Sequence, residues 1–421
     1  MLIEFTVTNF RSFRGPQTLS LVAGKMQDAI ESNTFDSGLP GFGRFLRSAV
    51  VYGPNAAGKT NLLLAIQLLQ QLVLNSATLV PPSAPLPYTP FKFAAASRKA
   101  PTQFEITFVQ DDTRYEYGIS MDSVRIRDEW LIEYVNPRGR AIFERTYQAK
   151  ADEYSWKFSS FLKGQRSLWS SSTRSNALFL STAIQLNSKQ LMPVFEWFQK
   201  KLVVITGAVT MNAALTLQLL DKPEGKEKLL PFLRKADLSI AGIDVKKESF
   251  PAGSNAVMLG AGAFIDNRPG GTPSVIKVNF QHVGDSKEPI PLEFSEESAG
   301  AQSLFRSAGA WLNVWDNGEV LLFDELDTSL HLVLAQFLIQ RFHSSATNPH
   351  NAQLVFSTHN VALLSCGLFR RDQVWFVEKA TDGGSRLFPL TEFKPRNDEK
   401  IDKSYLRGQY GALPLLAEDM A

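Results

Sequence analysis

Residues 51–60 read VYGPNAAGKT and constrain the fold of this chain more than any other stretch. The pattern G-x-x-x-x-G-K-[ST] runs from Gly53 to Thr60, with the apolar run SAVVY before it and a helical pattern after it. Glycines let backbone N–H groups curl around an anion, and a helix N-terminus adds partial positive charge. The context predicts a strand, a phosphate-binding turn and a helix. The alternative is a chance match on a structural turn.

The residue types of this loop predict a nucleotide-binding role for six consecutive positions. Backbone N–H groups would surround phosphate oxygens, Lys59 would reach the β- and γ-phosphates, and the Thr60 hydroxyl would ligate Mg²⁺. We therefore predict ATP and Mg²⁺ as the cofactors. The predicted binding residues of the loop are Asn55, Ala56, Ala57, Gly58, Lys59 and Thr60.

A second apolar strand ends in an acidic pair. Residues 320–323 read VLLF, and Asp324 and Glu325 follow at the edge where ligands bind in open α/β sheets. We predict that Asp324 holds Mg²⁺, directly or through water, and that Glu325 polarises the attacking water as a catalytic residue. The alternative is that Asp324 or Asp327 caps the helix containing HLVLAQFLIQRF.

Two further motifs accompany the glycine-rich loop and the acidic pair, one before and one after the acidic strand. Ser298 and Gly300 open the helix before the acidic strand, and His359 follows the next strand in the stretch STHN. Ser298 has the alternative interpretation of an ordinary N-cap, and His359 that of a hydrogen-bonded histidine at a strand end. The order of the motifs resembles the ABC-type ATPase heads of the SMC, RecF and OLD group. In that group the signature helix, here with Ser298 and Gly300, completes the nucleotide site of the opposite subunit, and His359 would be a catalytic residue that senses the γ-phosphate.

Beyond these motifs, the chain resembles the OLD-like AAA-family ATPases of bacterial anti-phage systems. This resemblance covers almost the whole chain. The chain looks most like the RloA group and, more distantly, like the AriA ATPases of PARIS systems. The resemblance implies a sensor or regulatory ATPase of abortive infection that forms a homodimer or higher homo-oligomer, responds to a phage-derived trigger and controls a separate RloB or TOPRIM-like nuclease. The stretches that carry it are TNFRSF, SLVAGK, GPNAAGKT, EWL at 129–131, ESAGAQSLF, FDELDTSLH, STHN and YLRGQYGALPLL.

The same resemblance also concerns an N-terminal loop and a glutamine that contacts Mg²⁺. Phe10 and Arg11 resemble the N-terminal loop that lies near the nucleotide in this group, and the alternative for Arg11 is a surface cation beside a strand end. The glutamine that touches Mg²⁺ in this group has three candidates here, which are Gln67, Gln70 and Gln103.

The order of predicted elements indicates an α/β fold. Strand patterns after residue 102 suggest a meander, helical patterns dominate residues 186–237, and the last part alternates helix and strand as a parallel layer does. We expect an ABC-type P-loop ATPase head, with a mixed sheet and an antiparallel subdomain, split by an α-rich insert. Residues 1–130 and 285–421 would form the two halves of the head, because Thr60 and Asp324 must meet around one Mg²⁺, and 131–284 would be the inserted subdomain.

Composition narrows the classes of function. Forty-four basic and 42 acidic residues give a net charge of +2, which announces neither a nucleic-acid nor a membrane partner. One cysteine excludes an internal disulfide and a cysteine-rich zinc site, and no export signal or membrane span is recognised, so we expect a cytoplasmic protein. Three classes stay open: an ATPase that regulates anti-phage immunity, a RecF-like repair ATPase that binds DNA directly, and a non-hydrolysing scaffold.

Overall fold

The computed structural model describes residues 1–39, 41, 43–135, 138–206, 213–235, 240–249, 263–266, 274–285, 288–327, 330–396 and 399–413. The chain forms two compact units. The first unit comprises Met1–Thr206, Asn317–Glu325 and Ile339–Ala421, and the second comprises Gly207–Asp316 and Leu326–Leu338.

The strands in the described part of the chain are β1 (Leu2–Thr8), β2 (Gln17–Ser20), β3 (Thr34–Asp36), β4 (Arg44–Leu46), β5 (Ser48–Tyr52), β6 (Thr102–Gln110), β7 (Thr113–Met121), β8 (Ile126–Tyr134), β9 (Arg140–Gln148), β10 (Glu153–Phe158), β11 (Leu202–Ile205), β12 (Ile240–Ser249), β13 (Ala263–Asp266), β14 (Ser274–Val283), β15 (Pro289–Glu293), β16 (Val320–Phe323), β17 (Gln353–Ser357), β18 (Val374–Lys379) and β19 (Ser385–Pro389).

The α-helices in the same part are α1 (Ile30–Asn33), α2 (Lys59–Asn75), α3 (Arg166–Ser172), α4 (Phe179–Gln185), α5 (Met192–Glu196), α6 (Ala214–Leu220), α7 (Pro223–Leu233), α8 (Ala299–Asn317), α9 (Leu332–His343), α10 (Ala362–Ser365) and α11 (Ile401–Leu406). A π-helical turn, Trp197–Lys201, follows α5 directly. None of the helices in the described ranges is long and apolar enough to cross a membrane.

The first unit contains an antiparallel sheet of seven strands in the order β10-β9-β8-β7-β6-β1-β2. Its central strands alternate buried and less buried residues, as β6 does along most of its length, because one face of the sheet covers the core. The meander predicted after residue 102 is therefore confirmed as β6, β7 and β8.

The second large sheet of this unit has the order β11-β16-β17-β5-β18-β19. The first five strands are parallel to their neighbours, and β19 runs antiparallel to β18. Every residue of β5, β16 and β17 is buried, as expected for central strands of a parallel sheet. The predicted α/β class, with a mixed sheet and a separate antiparallel sheet, is confirmed.

Helix α2 contributes to a hydrophobic core shared by the two sheets of the first unit. Leu62 and Ile66 of α2 belong to the same buried cluster as Phe5, Phe104 and Leu322 from the strands. The sequence predicts a buried helix here because its apolar residues are too dense for one face, and this prediction is confirmed.

The second unit is built on strands β12, β14 and β13, with β15 paired to β14. Phe280 and Phe294 pack against Phe305 of α8 with ring centroids 5.5 and 5.4 Å apart. The Thr216 hydroxyl of α6 donates to Phe305 O at 2.8 Å and accepts from Gly309 N at 2.8 Å. These contacts join α6 to α8.

The boundaries of the two units differ from the expected boundaries at residues 130/131 and 284/285. Residue 131 lies inside β8, and β9 and β10 extend the same antiparallel sheet, so the first unit continues to Thr206. Strand β15 pairs with β14, so the segment after residue 284 belongs to the second unit as far as Asp316. Thr60 and Asp324 both lie in the first unit.

Candidate functional site

The glycine-rich loop connects β5 to α2, as its sequence predicts. Gly53 has φ +155° and Gly58 has φ +121°, which side chains rarely tolerate. A Cβ atom at Gly53 would lie 2.2 Å from the carbonyl oxygen of Val377, and one at Gly58 would lie 2.5 Å from Ser385 Oγ. Only glycine therefore fits both ends of the loop.

Lys59 is the first residue of α2, and its side chain folds back over the loop. Its ammonium donates to the carbonyl oxygens of Gly53 at 2.8 Å and Pro54 at 3.1 Å, and it lies 3.5 Å from His359 Nδ1. Thr60 follows in the first turn of α2. Between Pro54 and Gly58, the predicted residues Asn55 and Ala56 are exposed and Ala57 is buried.

The acidic pair stands directly after β16. Asp324 is buried, and its Oδ1 accepts a hydrogen bond from the Ser357 hydroxyl at 2.5 Å. The same hydroxyl accepts from the backbone N–H of Glu325 at 2.8 Å. Ser357 thus links the two acidic positions to the end of β17. Sequence reasoning missed its role, although its place at a strand end beside His359 was a signal.

Glu325 and His359 face each other across this edge. His359 Nε2 lies 4.0 Å from Glu325 Oε1, and both side chains are partly exposed. Glu325 adopts the left-handed φ of +53°. Through the contact between Lys59 and His359, three charged or titratable side chains from three different segments meet at one place.

The sheet order explains why these residues meet. Strand β17 lies between β16 and β5, with Phe356 opposite Phe323 and Ser357 opposite Val51. Because the carboxyl ends of parallel strands reach the same edge, the segments after all three strands converge. The structure brings together Gly58, Lys59, Thr60, Asp324, Glu325 and His359 at this edge.

The capping alternative for the acidic pair is wrong. Helix α9 begins at Leu332, so neither Asp324 nor Asp327 lies at its N-terminus. His331 Nδ1 instead accepts a hydrogen bond from the Val333 amide at 3.3 Å.

Arg11 lies beside the first turn of α2. Its backbone has φ +50°, its N–H donates to Thr89 O at 2.7 Å, and its guanidinium lies 3.5 Å from Asn61 Oδ1. Asn61 in turn donates to Ser12 Oγ at 2.8 Å. The side chain of Arg11 is exposed, so a surface cation beside a strand end also describes it. Sequence reasoning did not identify Ser12 or Asn61.

An exposed aromatic ring lies near the same loop. Phe93 is 78% exposed and makes an edge contact with the buried Phe91, whose N–H donates to Asn9 Oδ1 at 3.2 Å. A Cβ atom at Gly383, in the turn between β18 and β19, would lie 3.2 Å from the Phe93 ring. Two residues later, the Ser385 hydroxyl donates to Ala57 O. Sequence reasoning also missed Phe93, which no motif marks.

Ser298 and Gly300 lie in the second unit at the start of α8. Ser298 Oγ accepts from the Ala301 amide at 3.1 Å, which is the N-cap contact of the alternative interpretation. Ser298 is exposed, and together with Gly300, His331 and Phe337 it lines a cavity of about 480 Å³. A capping hydroxyl keeps a free lone pair and its proton, so a ligand role for Ser298 stays a prediction.

The three candidate glutamines have different partners. Gln70 donates to the carbonyl oxygens of Phe198 at 2.7 Å and Leu202 at 2.8 Å, which fixes the orientation of its half-buried side chain. Gln67 accepts from the Thr206 hydroxyl at 3.4 Å, and Gln103 lies in β6. These contacts occupy the side-chain amide of Gln70, and all three glutamines stay candidates for the contact with Mg²⁺.

The donor set at this edge suits Mg²⁺. In the described ranges, no three His, Cys, Asp or Glu side chains are grouped as metal ligands. Mg²⁺ usually retains several waters and binds through one or two carboxylates together with substrate phosphates, so a complete protein cage is not required. The buried Asp324 carboxylate beside a loop that can hold phosphates fits this kind of site.

A family model matches most of the chain. Residues 48–365 match the family model described as "AAA domain, putative AbiEii toxin, Type IV TA system". The solved structure titled "Structure of the recombination mediator protein RecF-ATP in RecFOR pathway" is similar at a TM-score of 0.35 and 11% identity, covering 92% of this chain and 97% of that chain. No curated protein matches the sequence.

Proposed function

This chain belongs to the AAA-domain family, and from that premise we propose that it is a Mg²⁺-dependent ATPase that regulates a separate effector in anti-phage defence. One observation carries the ATPase proposal. Lys59, Asp324, Glu325 and His359 come from distant parts of the sequence and converge at the carboxyl edge of β5, β16 and β17. The phosphate cradle, the buried carboxylate and the partly exposed carboxylate are the parts that phosphoryl transfer to water requires.

In this proposal the loop binds the phosphates of ATP. Its backbone N–H groups surround the phosphate oxygens, and the ammonium of Lys59 exchanges the carbonyl oxygens of Gly53 and Pro54 for phosphate oxygens. Asp324 and Thr60 would hold Mg²⁺, which would supply charge neutralisation at the phosphates. The Ser357 hydroxyl, which donates to Asp324, orients that carboxylate.

Glu325 orients the attacking water toward the γ-phosphate. It accepts a proton from this water as the bond between the γ-phosphate and ADP breaks. Its side chain is exposed enough to reach solvent, unlike that of Asp324, and so suits this task. His359 lies between Glu325 and Lys59 and therefore senses the phosphate that Lys59 binds. The base of the nucleotide rests on the exposed ring of Phe93, with Arg11 beside it. Ser385, at the loop, is two positions along the chain from Gly383, at the ring, a span of at most about 7 Å.

The regulatory part of the proposal rests on the resemblance described above and on the description of the matching family, which includes a type IV TA system. The active unit is a homodimer or higher homo-oligomer in which Ser298 and Gly300 of one chain contact ATP bound to Lys59 of another. Hydrolysis removes the bridging phosphate, so the assembly state reports to an RloB or TOPRIM-like nuclease after a phage-derived trigger.

The hydrolysis of ATP by the purified protein tests the first part. We expect Mg²⁺-dependent phosphate release that Lys59→Ala abolishes, and we expect Glu325→Gln to retain bound ATP. Glu392→Gln is the matched control, because Glu392 pairs with Arg386 on the surface and should not affect turnover. Full hydrolysis by folded Glu325→Gln protein would remove the proposed role of Glu325.

Mixing two inactive variants tests the shared site. Lys59→Ala and Ser298→Arg each damage both sites of their own dimer, whereas a mixed dimer retains one intact site. We expect random 1:1 mixing to recover about a quarter of wild-type activity, since half of the dimers are mixed and each has one working site. No recovery despite demonstrated subunit exchange would contradict the trans arrangement. Salt-sensitive duplex binding by the isolated protein would instead favour the DNA-repair class.

A further inference from the structure

A groove with an apolar floor and a basic rim lies at the amino end of β18. It has a volume of about 510 Å³, and we call it the basic-rimmed groove. Its floor includes Trp375, which is 7% exposed, and its rim carries the cations Lys25, Arg371 and Lys394. Val22, Met26 and Pro389 also line it. The glycine-rich loop lies toward the other end of β18, where Val377 O faces Gly53.

The lining of the groove carries more positive than negative charge. In the part of the chain that the structure describes, no ion pair joins Lys25, Arg371 or Lys394 to a carboxylate. The one acidic side chain in the lining, Asp372, accepts hydrogen bonds from Arg370 at 3.0 and 2.8 Å and from the Gly24 amide at 2.8 Å. The groove therefore presents Lys25 and Lys394 to a ligand, whereas the charge of Arg371 also acts on Glu399.

The groove is also preformed. Arg370 is buried and donates to the carbonyl oxygens of Met26 at 3.0 Å and Asp28 at 2.7 Å, which fixes the loop that forms one wall. A site that is already ordered loses little conformational entropy on binding. Its volume is in the range of sites that accept a ligand with a few side chains.

We propose that the basic-rimmed groove binds an acidic peptide segment of a partner protein, with an aliphatic side chain on the floor and carboxylates paired to Lys25 and Lys394. Charge complementarity supports an anionic ligand, and the apolar floor supports a hydrophobic anchor. A nucleic acid fits less well, because base stacking needs an exposed aromatic face and Trp375 is nearly covered. This inference goes beyond the proposed ATPase and does not depend on it.

A random dodecapeptide display library provides the probe. Peptides would be selected on the full chain and depleted on Thr391→Trp, whose larger side chain fills the groove. We expect enriched peptides to combine Asp or Glu with Leu, Ile or Val, and a labelled synthetic copy to bind by fluorescence anisotropy. No enrichment, or enrichment of peptides without acidic residues, would overturn the proposal.

Charge reversal then locates the binding. We expect the double variant Lys25→Glu and Lys394→Glu to weaken the selected peptide at least about tenfold, and added salt to weaken binding to the wild type. The control variant Lys99→Glu and Lys150→Glu has the same charge change at exposed positions elsewhere and should retain binding within about twofold. Equal weakening in both variants would refute the site. Displacement of the peptide by oligothymidylate at this groove would assign it to nucleic acid instead.

Discussion

Polar residues meet at both ends of strand β5, but they form a buried, closed network at the amino end and a partly exposed group at the carboxyl end. At the amino end, Ser48 lies in a closed network: Gln373 donates to its carbonyl oxygen at 3.0 Å and to its hydroxyl at 2.8 Å, and His343 Nε2 lies 2.8 Å from that hydroxyl. Asn33 donates to Gln373 Oε1 at 2.7 Å. All of these side chains are buried, and their polar atoms bind one another.

At the carboxyl end of β5, polar residues also converge, but they meet at the open edge of the sheet. Lys59 and Asp324 are buried, whereas Glu325 and His359 remain partly exposed, so a ligand can reach this group. A closed network contributes to stability because each buried polar group has a partner, whereas an edge that admits a ligand contributes to chemistry. Substitutions at the two ends should therefore affect different measurements.

The largest effect is expected at the carboxyl end. Asp324→Asn keeps an acceptor for the Ser357 hydroxyl but removes the negative charge, so we expect ATP turnover to fall about 1,000-fold, equivalent to about 4 kcal/mol in activation free energy. The free energy of unfolding should change by less than about 1 kcal/mol. Phosphate release and urea denaturation of the same preparation measure both. A comparable loss of stability would break the distinction between the two ends.

The next effect is expected at the amino end. Gln373→Ala leaves the carbonyl oxygen of Ser48, the amide of Asn33 and the Arg370 N–H without this partner, so we expect a loss of about 3 kcal/mol in unfolding free energy. Gln373→Glu is the matched variant of the same shape, and it should also destabilise because it buries a charge. ATP turnover per folded molecule should stay near the wild-type value, and a selective loss of turnover would show that this network acts in catalysis.

The closed network also predicts a pH dependence. Burial, together with the nearby positive charge of Arg47, lowers the pKa of His343 to about 3, so the folded protein keeps this histidine neutral. The unfolded chain takes up the proton below its ordinary pKa of 6.5, so stability is complete above that pH and falls as the pH decreases toward 3. We expect His343 to cost about 2 kcal/mol at pH 5.

Urea denaturation between pH 7 and pH 5 measures this cost. His343→Gln should remove about that much of the pH dependence, although it lowers stability at pH 7 by removing the contact with Ser48. His350→Gln changes an exposed histidine and should leave the dependence unaltered. An unchanged slope in His343→Gln protein would mean that His343 does not titrate as proposed.

The smallest effect concerns the exposed ring near the phosphate loop. Phe93→Ala removes the surface proposed for the base, so we expect KM for ATP to rise about fivefold with little change in kcat, equivalent to about 1 kcal/mol of stacking. Phe393→Ala is the control, because Phe393 is also an exposed phenylalanine but packs against Phe388 and Tyr410. Equal effects of the two substitutions would remove Phe93 from the nucleotide site.

Much of the open edge could be predicted from the sequence because its parts are local. The strand, glycine-rich turn and helix around Lys59 form one continuous segment, and a buried strand followed by Asp324 needs no distant partner to be recognised. The rule that parallel strands end at one edge then joins them. The closed end could not be predicted, because Asn33, Ser48, His343 and Gln373 come from four separate segments and no motif links them.

The misplaced boundaries have a similar cause. Period-two alternation identifies β8, β9 and β14 as strands but does not say which sheet they join. Pairing between β8 and β9 and between β14 and β15 determines the extent of each unit, and these pairings arise from tertiary contacts. The same reason hid Ser12 and Ser385, which meet only because the β18–β19 hairpin packs against the segment after β1.

At position 325, the left-handed backbone favours glycine for fold stability, whereas the proposed hydrolysis requires glutamate. A residue with a Cβ atom loses about 1 kcal/mol at φ +53°, whereas glycine adopts this angle freely. A laboratory selection for heat resistance alone should therefore enrich Glu325→Gly, producing a more durable protein that no longer turns over ATP. Only a selection that requires hydrolysis would retain the glutamate, so thermostability screens of this chain need an activity step at every round.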